Sequence, residues 1–129
     1  MCARALLEHG VSYLAIFDVD EGCGARALDH LRGLDKNNEW KILFQPIDVT
    51  SESAVDKAVE STVESFGGID ILLCFAGITE SKLAVEYPID SWRRIFDVNI
   101  HGSFLVARAF ARYPLSLAFD TRLRLKSRT

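Results

Sequence analysis

Four short clusters in this 129-residue chain have the types and spacing to handle a nucleotide. Asp18 follows the apolar run Tyr13-Leu14-Ala15-Ile16-Phe17. An acid at the carboxyl end of a parallel strand stands where open α/β sheets bind ligands. Its two oxygens can accept both hydroxyls of an adenosine ribose and would repel a 2′-phosphate. Asp20 and Glu21 offer the same group one turn further on, and an ordinary Asp in a strand–helix turn has the same appearance. Asp48-Val49-Thr50 follows a second apolar run, giving a carboxylate for an adenine amino group beside an apolar wall, or equally a helix cap. Cys74-Phe75-Ala76-Gly77 closes a third run, where small residues let a flat ligand come close to the backbone. Asn99 shares a helix face with Trp92, Ile95, Phe96, Val106 and Phe110. A buried amide without partners costs roughly 1–3 kcal/mol, so Asn99 is expected to bond a backbone group, an ordered water or a ligand. Gly102 beside it lets another element pack close or the helix bend.

The elements that position these clusters alternate. Cys2 to His9 has helical spacing and stops at Gly10. Tyr13–Phe17 is a short, nearly continuous apolar run, the pattern of a strand buried on both faces. A helix from about Gly22 to Leu31, a strand over Lys41–Ile47 and a long helix follow. In that helix Val55, Val59, Thr62, Val63 and Phe66 form one stripe, Thr50 or Ser51 caps the start, and Gly67-Gly68 ends it. Ile69–Phe75 is a third predicted strand, with Cys74 as a core side chain. Asp90 is placed to cap a last helix running to about Tyr113. This order is that of an α/β parallel-sheet fold. Residues 1–113 are taken as one partial nucleotide-binding domain, and 114–129 as a basic tail.

Composition narrows the function classes. The chain is 49% hydrophobic and 26% charged, which suits a globular protein. Four of the fifteen basic residues fall in the last nine positions, which hold no acid. Residues 1–120 therefore carry 11 basic and 18 acidic side chains, a balance of −7 that argues against nucleic acid as a partner. Cys2, Cys23 and Cys74 are odd in number and scattered, His9, His30 and His101 lack metal-ligand spacing, and no metal site is expected. A reducing, cytoplasmic setting is the simplest expectation. No signal peptide and no membrane span are expected either.

Taken in order, these segments resemble a classical short-chain dehydrogenase/reductase over about Ala3 to Tyr113. Ala3–Gly10 resembles the helix after that family's glycine-rich turn. Ile16-Phe17-Asp18-Val19-Asp20 resembles its second strand and NAD-selecting acid, and Ile47-Asp48-Val49-Thr50 its adenine pocket. Cys74-Phe75-Ala76-Gly77 is similar to its Asn-Asn-Ala-Gly motif. Asp97-Val98-Asn99 resembles the Val-Asn of the catalytic tetrad, where the Asn supports a water in a proton relay. The resemblance implies a partial Rossmann-like, doubly wound parallel sheet that lacks the first strand and the C-terminal part. The Ile42 strand should lie outside the Tyr13 strand, with a gap or local collapse between the Tyr13 and Ile69 strands. It also implies NAD rather than NADP as cofactor, held by Asp18, Val19, Asp48, Val49, Cys74, Phe75, Ala76 and Gly77, with Asn99 the one catalytic residue present. A small-molecule alcohol or carbonyl substrate and a homo-oligomer built through the Asn99 helix are further implications.

Two motifs of the family do not occur in the 129 residues: Thr-Gly-x-x-x-Gly-x-Gly, and Tyr-x-x-x-Lys with its Ser. Tyr13, Tyr87 and Tyr113 are followed four residues later by Phe17, Ser91 and Leu117. The expectation is a fragment of an oxidoreductase, inactive as written. The alternatives are a non-catalytic remnant that binds a nucleotide or a partner, and a gene-model fragment without stable function.

Overall fold

The computed structural model describes residues 2–37 and 39–113. In chain order these form α1 (Cys2–Glu8), β1 (Tyr13–Asp18), α2 (Glu21–Leu34), β2 (Lys41–Pro46) and α3 (Glu52–Phe66). A 3₁₀ turn (Ala84–Glu86), α4 (Ile89–Phe96), a π-helical segment (Asp97–Gly102) and α5 (Ser103–Ala111) follow. β1 and β2 pair in parallel, from Tyr13 opposite Lys41 to Asp18 opposite Pro46.

Alternation along the two strands splits the apolar residues between two cores. Leu14 and Ile16 of β1 and Ile42 of β2 point to α1 and α2, where Leu7, Leu31, Leu28 and Val11 meet them. Phe17 points the other way, to Val55 and Val59 of α3 and Val106 and Ala109 of α5. Helices therefore cover both faces of the sheet. Gln45 also faces α3, and its amide donates to Ser61 Oγ at 2.8 Å. Two ion pairs, Arg108–Glu52 and Arg112–Asp56, join α5 to α3 outside the apolar contact.

Local chemistry sets the helix ends. Asp20 Oδ1 accepts the Cys23 N–H at 2.8 Å and starts α2 one residue before the expected point. Gly67, at φ 83°, takes the left-handed conformation that ends α3, and its N–H reaches Val63 O at 2.7 Å. The buried positions of α3 are Val55, Ala58, Val59 and Thr62. Thr62 buries its hydroxyl because it donates to Ala58 O at 2.8 Å.

Four expectations need correction. Ile69–Phe75 is not a strand: it has no regular structure, because no strand among the described residues lies beside it to complete a ladder. Ile69 and Leu72 still pack on the α3–α5 core, while Ile71, Leu73 and Phe75 stand exposed. An open apolar trough of about 380 Å³ lies between Leu73 and the Cys2, Ala5, Leu6 and His9 side of α1. Cys74 is exposed for the same reason and is not a core residue. β1 is only half-buried along its middle, with one edge unpaired. Finally, Pro88 and not Asp90 precedes the first turn of α4, and Asp90 instead pairs with Arg93 at 3.1 Å. The basic tail from residue 114 lies outside the described residues.

Two glycines of α2 test the packing against β2. A Cβ at Gly24 would stand 2.0 Å from the Phe44 ring, whereas one at Gly33 meets nothing within 4 Å. Gly24→Ala should therefore destabilise the protein by about 1–3 kcal/mol, the usual cost of overpacking. Gly33→Ala should stabilise it by roughly 0.5–1 kcal/mol through helix propensity. Urea titrations of the two variants check the opposite signs.

Candidate nucleotide site at the strand ends

The carboxyl ends of β1 and β2 are tied together, since Ile47 N–H donates to Asp18 O at 2.9 Å. Asp18 lies exposed at the end of β1, where its Oδ1 accepts the Asp20 N–H at 2.9 Å. Asp20, an alternative acid for the same task, spends its own Oδ1 on the cap of α2. The Cys23 N–H holds the Asp20 carboxyl below its usual range. Val19 is exposed beside them.

Asp48 begins a tight turn after β2. Its Oδ1 accepts both the N–H and the hydroxyl of Thr50, at 2.9 and 2.7 Å. The Thr50 N–H, then its hydroxyl, hold the Asp48 carboxyl below the usual range, and the charge of Arg94 adds to this. Asp48 and Thr50 thus close a local turn ahead of α3 and do not cap it: the N-cap is Ser51, which makes no side-chain cap bond, so the expected capping by Thr50 or Ser51 side chains is not formed. Val49 is half-buried and packs on the α3–α5 core.

Asn99 sits in the middle of the π-helical segment. Its Oδ1 accepts the Ile78 N–H at 2.8 Å, and its Nδ2 donates to Ile78 O at 3.0 Å. Both ends of the amide are therefore spent on one backbone residue, the first of the three partners expected. Its carbonyl accepts the Ser103 hydroxyl at 2.9 Å. This places Gly77 against Asn99, with Gly77's missing Cβ 3.4 Å from Oδ1. Cys74, Phe75 and Ala76 lie exposed on the approach to that contact. At the far end of the segment, Gly102 is buried against Val49.

The structure thus joins Asp18 to the Asp48 turn through the sheet, Val49 to Gly102, and Gly77-Ile78 to Asn99. Sequence reasoning did not identify Ile78. Its contribution is its backbone N–H and C=O, which no residue type announces. Among the described residues no group of three or more His, Cys, Asp or Glu is placed to hold a metal, and no helix is long and apolar enough to cross a membrane.

A family model described as short chain dehydrogenase matches residues 1–117. The chain belongs to the short-chain dehydrogenase family. An oxidoreductase of Thermotoga maritima is 32% identical over 108 residues, which are 82% of this chain and 40% of that protein. A 2-dehydro-3-deoxy-L-rhamnonate dehydrogenase (NAD(+)) of a Sphingomonas species is 34% identical over 63% of this chain and 33% of its own length. Among solved structures, a short chain dehydrogenase from Mycobacterium smegmatis superposes with a TM-score of 0.78 at 30% identity, covering 86% of this chain and 44% of that one. The α/β architecture is thus that of Rossmann-like short-chain dehydrogenases. The chain spans about two fifths of the length of the relatives it matches.

The Asn99–Ile78 contact has a direct test. Each net hydrogen bond is worth about 0.5–1.5 kcal/mol, so Asn99→Ala should speed exchange of the Ile78 amide by roughly tenfold or more. Asn99→Asp keeps the acceptor, loses the donor and sets a charge against Ile78 O, and should also speed it. Hydrogen exchange followed by NMR checks both, with amides of α2 as unchanged controls.

Proposed function

We propose that this chain is the nucleotide-binding part of an NAD-dependent oxidoreductase acting at an alcohol or ketone carbon, and that these 129 residues alone perform no turnover. The observation that carries this reading is the exposed carboxylate of Asp18 at the end of a parallel strand, bonded through the sheet to the turn that bears Asp48 and Val49. This donor set fits an adenosine. Asp18 would accept the ribose hydroxyls, Val49 would give the ring an apolar face, and the Asp48 turn would meet the amino group. Like charge at Asp18 disfavours a 2′-phosphate, so NAD is preferred over NADP. The Sphingomonas relative named for NAD(+) agrees with this; a polyketide ketoreductase of the same fold, 23% identical, was solved with NADPH.

The cofactor, when bound, supplies the hydride acceptor or donor. The chain's own residues bind and orient it, with Asn99 keeping the Cys74–Gly77 approach in register through Ile78 and, by resemblance, supporting a relay of protons. Moving the proton at the substrate oxygen needs a further acid/base. None of the three tyrosines has a Lys four residues on, and Tyr87 spends its hydroxyl on Glu80 O at 3.3 Å. A general acid/base contributes about 10²–10⁴ in rate. The substrate class is a small alcohol or carbonyl compound. A homo-oligomer would form through the Asn99 helix, where Trp92 of α4, Ile100 of the π-helical segment and Phe104 of α5 are exposed.

Calorimetric titration of the purified chain should show NAD binding more tightly than NADP. Asp18→Ala should weaken NAD about tenfold to a hundredfold, the worth of charge-assisted hydrogen bonds, and erase the preference. Tighter binding of NADP by the wild type would show that the wrong acid has been chosen. With polyols, hydroxysteroids or secondary alcohols, the chain should give no change in NADH absorbance. Turnover that disappears on Asn99→Ala would reveal a catalytic base supplied by other residues.

A further inference from the structure

We infer that Gly102 is a positioning residue for the adenosine half of the site: its missing Cβ seats Val49, and through Val49 fixes the Asp48 carboxylate. The inference rests on the nucleotide reading above. A Cβ built at residue 102 would lie 2.6 Å from Val49 Cγ2 and 3.1 Å from Val49 Cβ. The contact at Cγ2 is the severe one, since the contact at Cβ asks for a shift of only a few tenths of an ångström, and the β-branched side chain is stiff about χ1, so Cγ2 does not swing away freely. Relief therefore requires the backbone at Val49 to retreat.

That backbone does not retreat alone. Thr50 N–H and hydroxyl both hold Asp48 Oδ1, and Ser51 N–H donates to Asp48 O at 3.0 Å. Asp48 to Ser51 thus moves as one body. Displacing Val49 carries the carboxylate with it, together with the apolar wall. On its other side, Gly102 closes the same six-residue π-helical segment whose Asn99 grips Ile78. One short segment thereby sets both walls of the site, Val49 through Gly102 and the Gly77-Ile78 corner through Asn99. A flat ring gains contact only when both walls are at van der Waals distance, and a gap of 0.5–1 Å forfeits about a quarter to a half of that attraction.

The test is a double-mutant cycle on the full chain with AMP as probe, using wild type, Gly102→Ala, Val49→Ala and the double variant. Valine-methyl and backbone NMR spectra would be recorded for each. Gly102→Ala should weaken AMP about tenfold when residue 49 is Val and less than twofold when it is Ala. It should also shift the Val49 methyl and Asp48–Thr50 amide resonances, which a general loss of stability would not single out. If Gly102→Ala alone does not fold, Val49→Ala and the double variant decide the matter. Equal AMP affinity supports the seat, and a tenfold difference overturns it. Equal losses in both backgrounds overturn this inference alone. A wild-type chain that binds no AMP overturns the nucleotide reading and this inference with it.

Discussion

The six-residue parallel ladder between β1 and β2 is the constraint on which the other elements depend. It pairs one edge of each strand, and its pleat sends Leu14 and Ile16 to one layer of helices and Phe17 to the other. Each layer is anchored to it by a small buried cluster. The candidate site lies where this ladder stops. At Asp18 and Pro46 the sheet ends, and the chain turns outward into the two acid-bearing corners. Ladder and site are coupled by the single bond from Ile47 N–H to Asp18 O.

The absence of a ladder explains the segment that departs from expectation. Ile69–Phe75 is as apolar as β1, yet its burial does not alternate as in a strand: Ile69 and Leu72 pack on the α3–α5 core while Ile71, Leu73, Cys74 and Phe75 stand exposed. Apolar content fixes which side chains seek the core. It does not supply a partner for the backbone N–H and C=O groups, and a strand is defined by that partner. The segment is therefore held at one end by packing on Val55 and Val106 and at the other by Asn99, with the trough toward α1 between.

What could be read from the sequence follows the same division. Local signals were legible. The Val55–Val59 spacing and Gly67 marked α3, the helix expected from about Gly22 is α2, which Asp20 starts one residue earlier, and the polar Asn99 on an apolar helix marked a specific bond. The parallel order of β1 and β2 was legible from their apolar runs and intervening helix. Properties set by distant neighbours were not. The burial of Cys74 depended on a strand beside it, and the π-helical turn depended on Val49 and Ile78 reaching one helix from two loops. Ala58, not Phe66, completes the buried row of α3, while Phe66 stacks on Tyr13 of β1 at 5.3 Å between ring centroids. The candidate corners at Asp18, Asp48 and Gly77 were picked out by motif, whereas the backbone groups that hold them in place leave no trace in residue type.

The π-helical segment shows how local strain and function meet. A helix with i→i+5 bonds is rare and occurs mostly as a single bulged turn. Here its cost is offset on both sides. Asn99 spends its amide on Ile78, Ser103 caps the Asn99 carbonyl, and Gly102 admits Val49. A regular α-helix through Asp97–Gly102 would rotate the residues after the bulge by about 100°, the angle of one residue at 3.6 per turn. Asn99 and Gly102 lie within the segment itself and meet Ile78 and Val49 from its wider turn. The bulged segment contacts two loops at once, and those two loops carry Asp48 and the Cys74–Gly77 run. The geometry of the site thus depends less on the acids than on the irregular turn that spaces the loops bearing them.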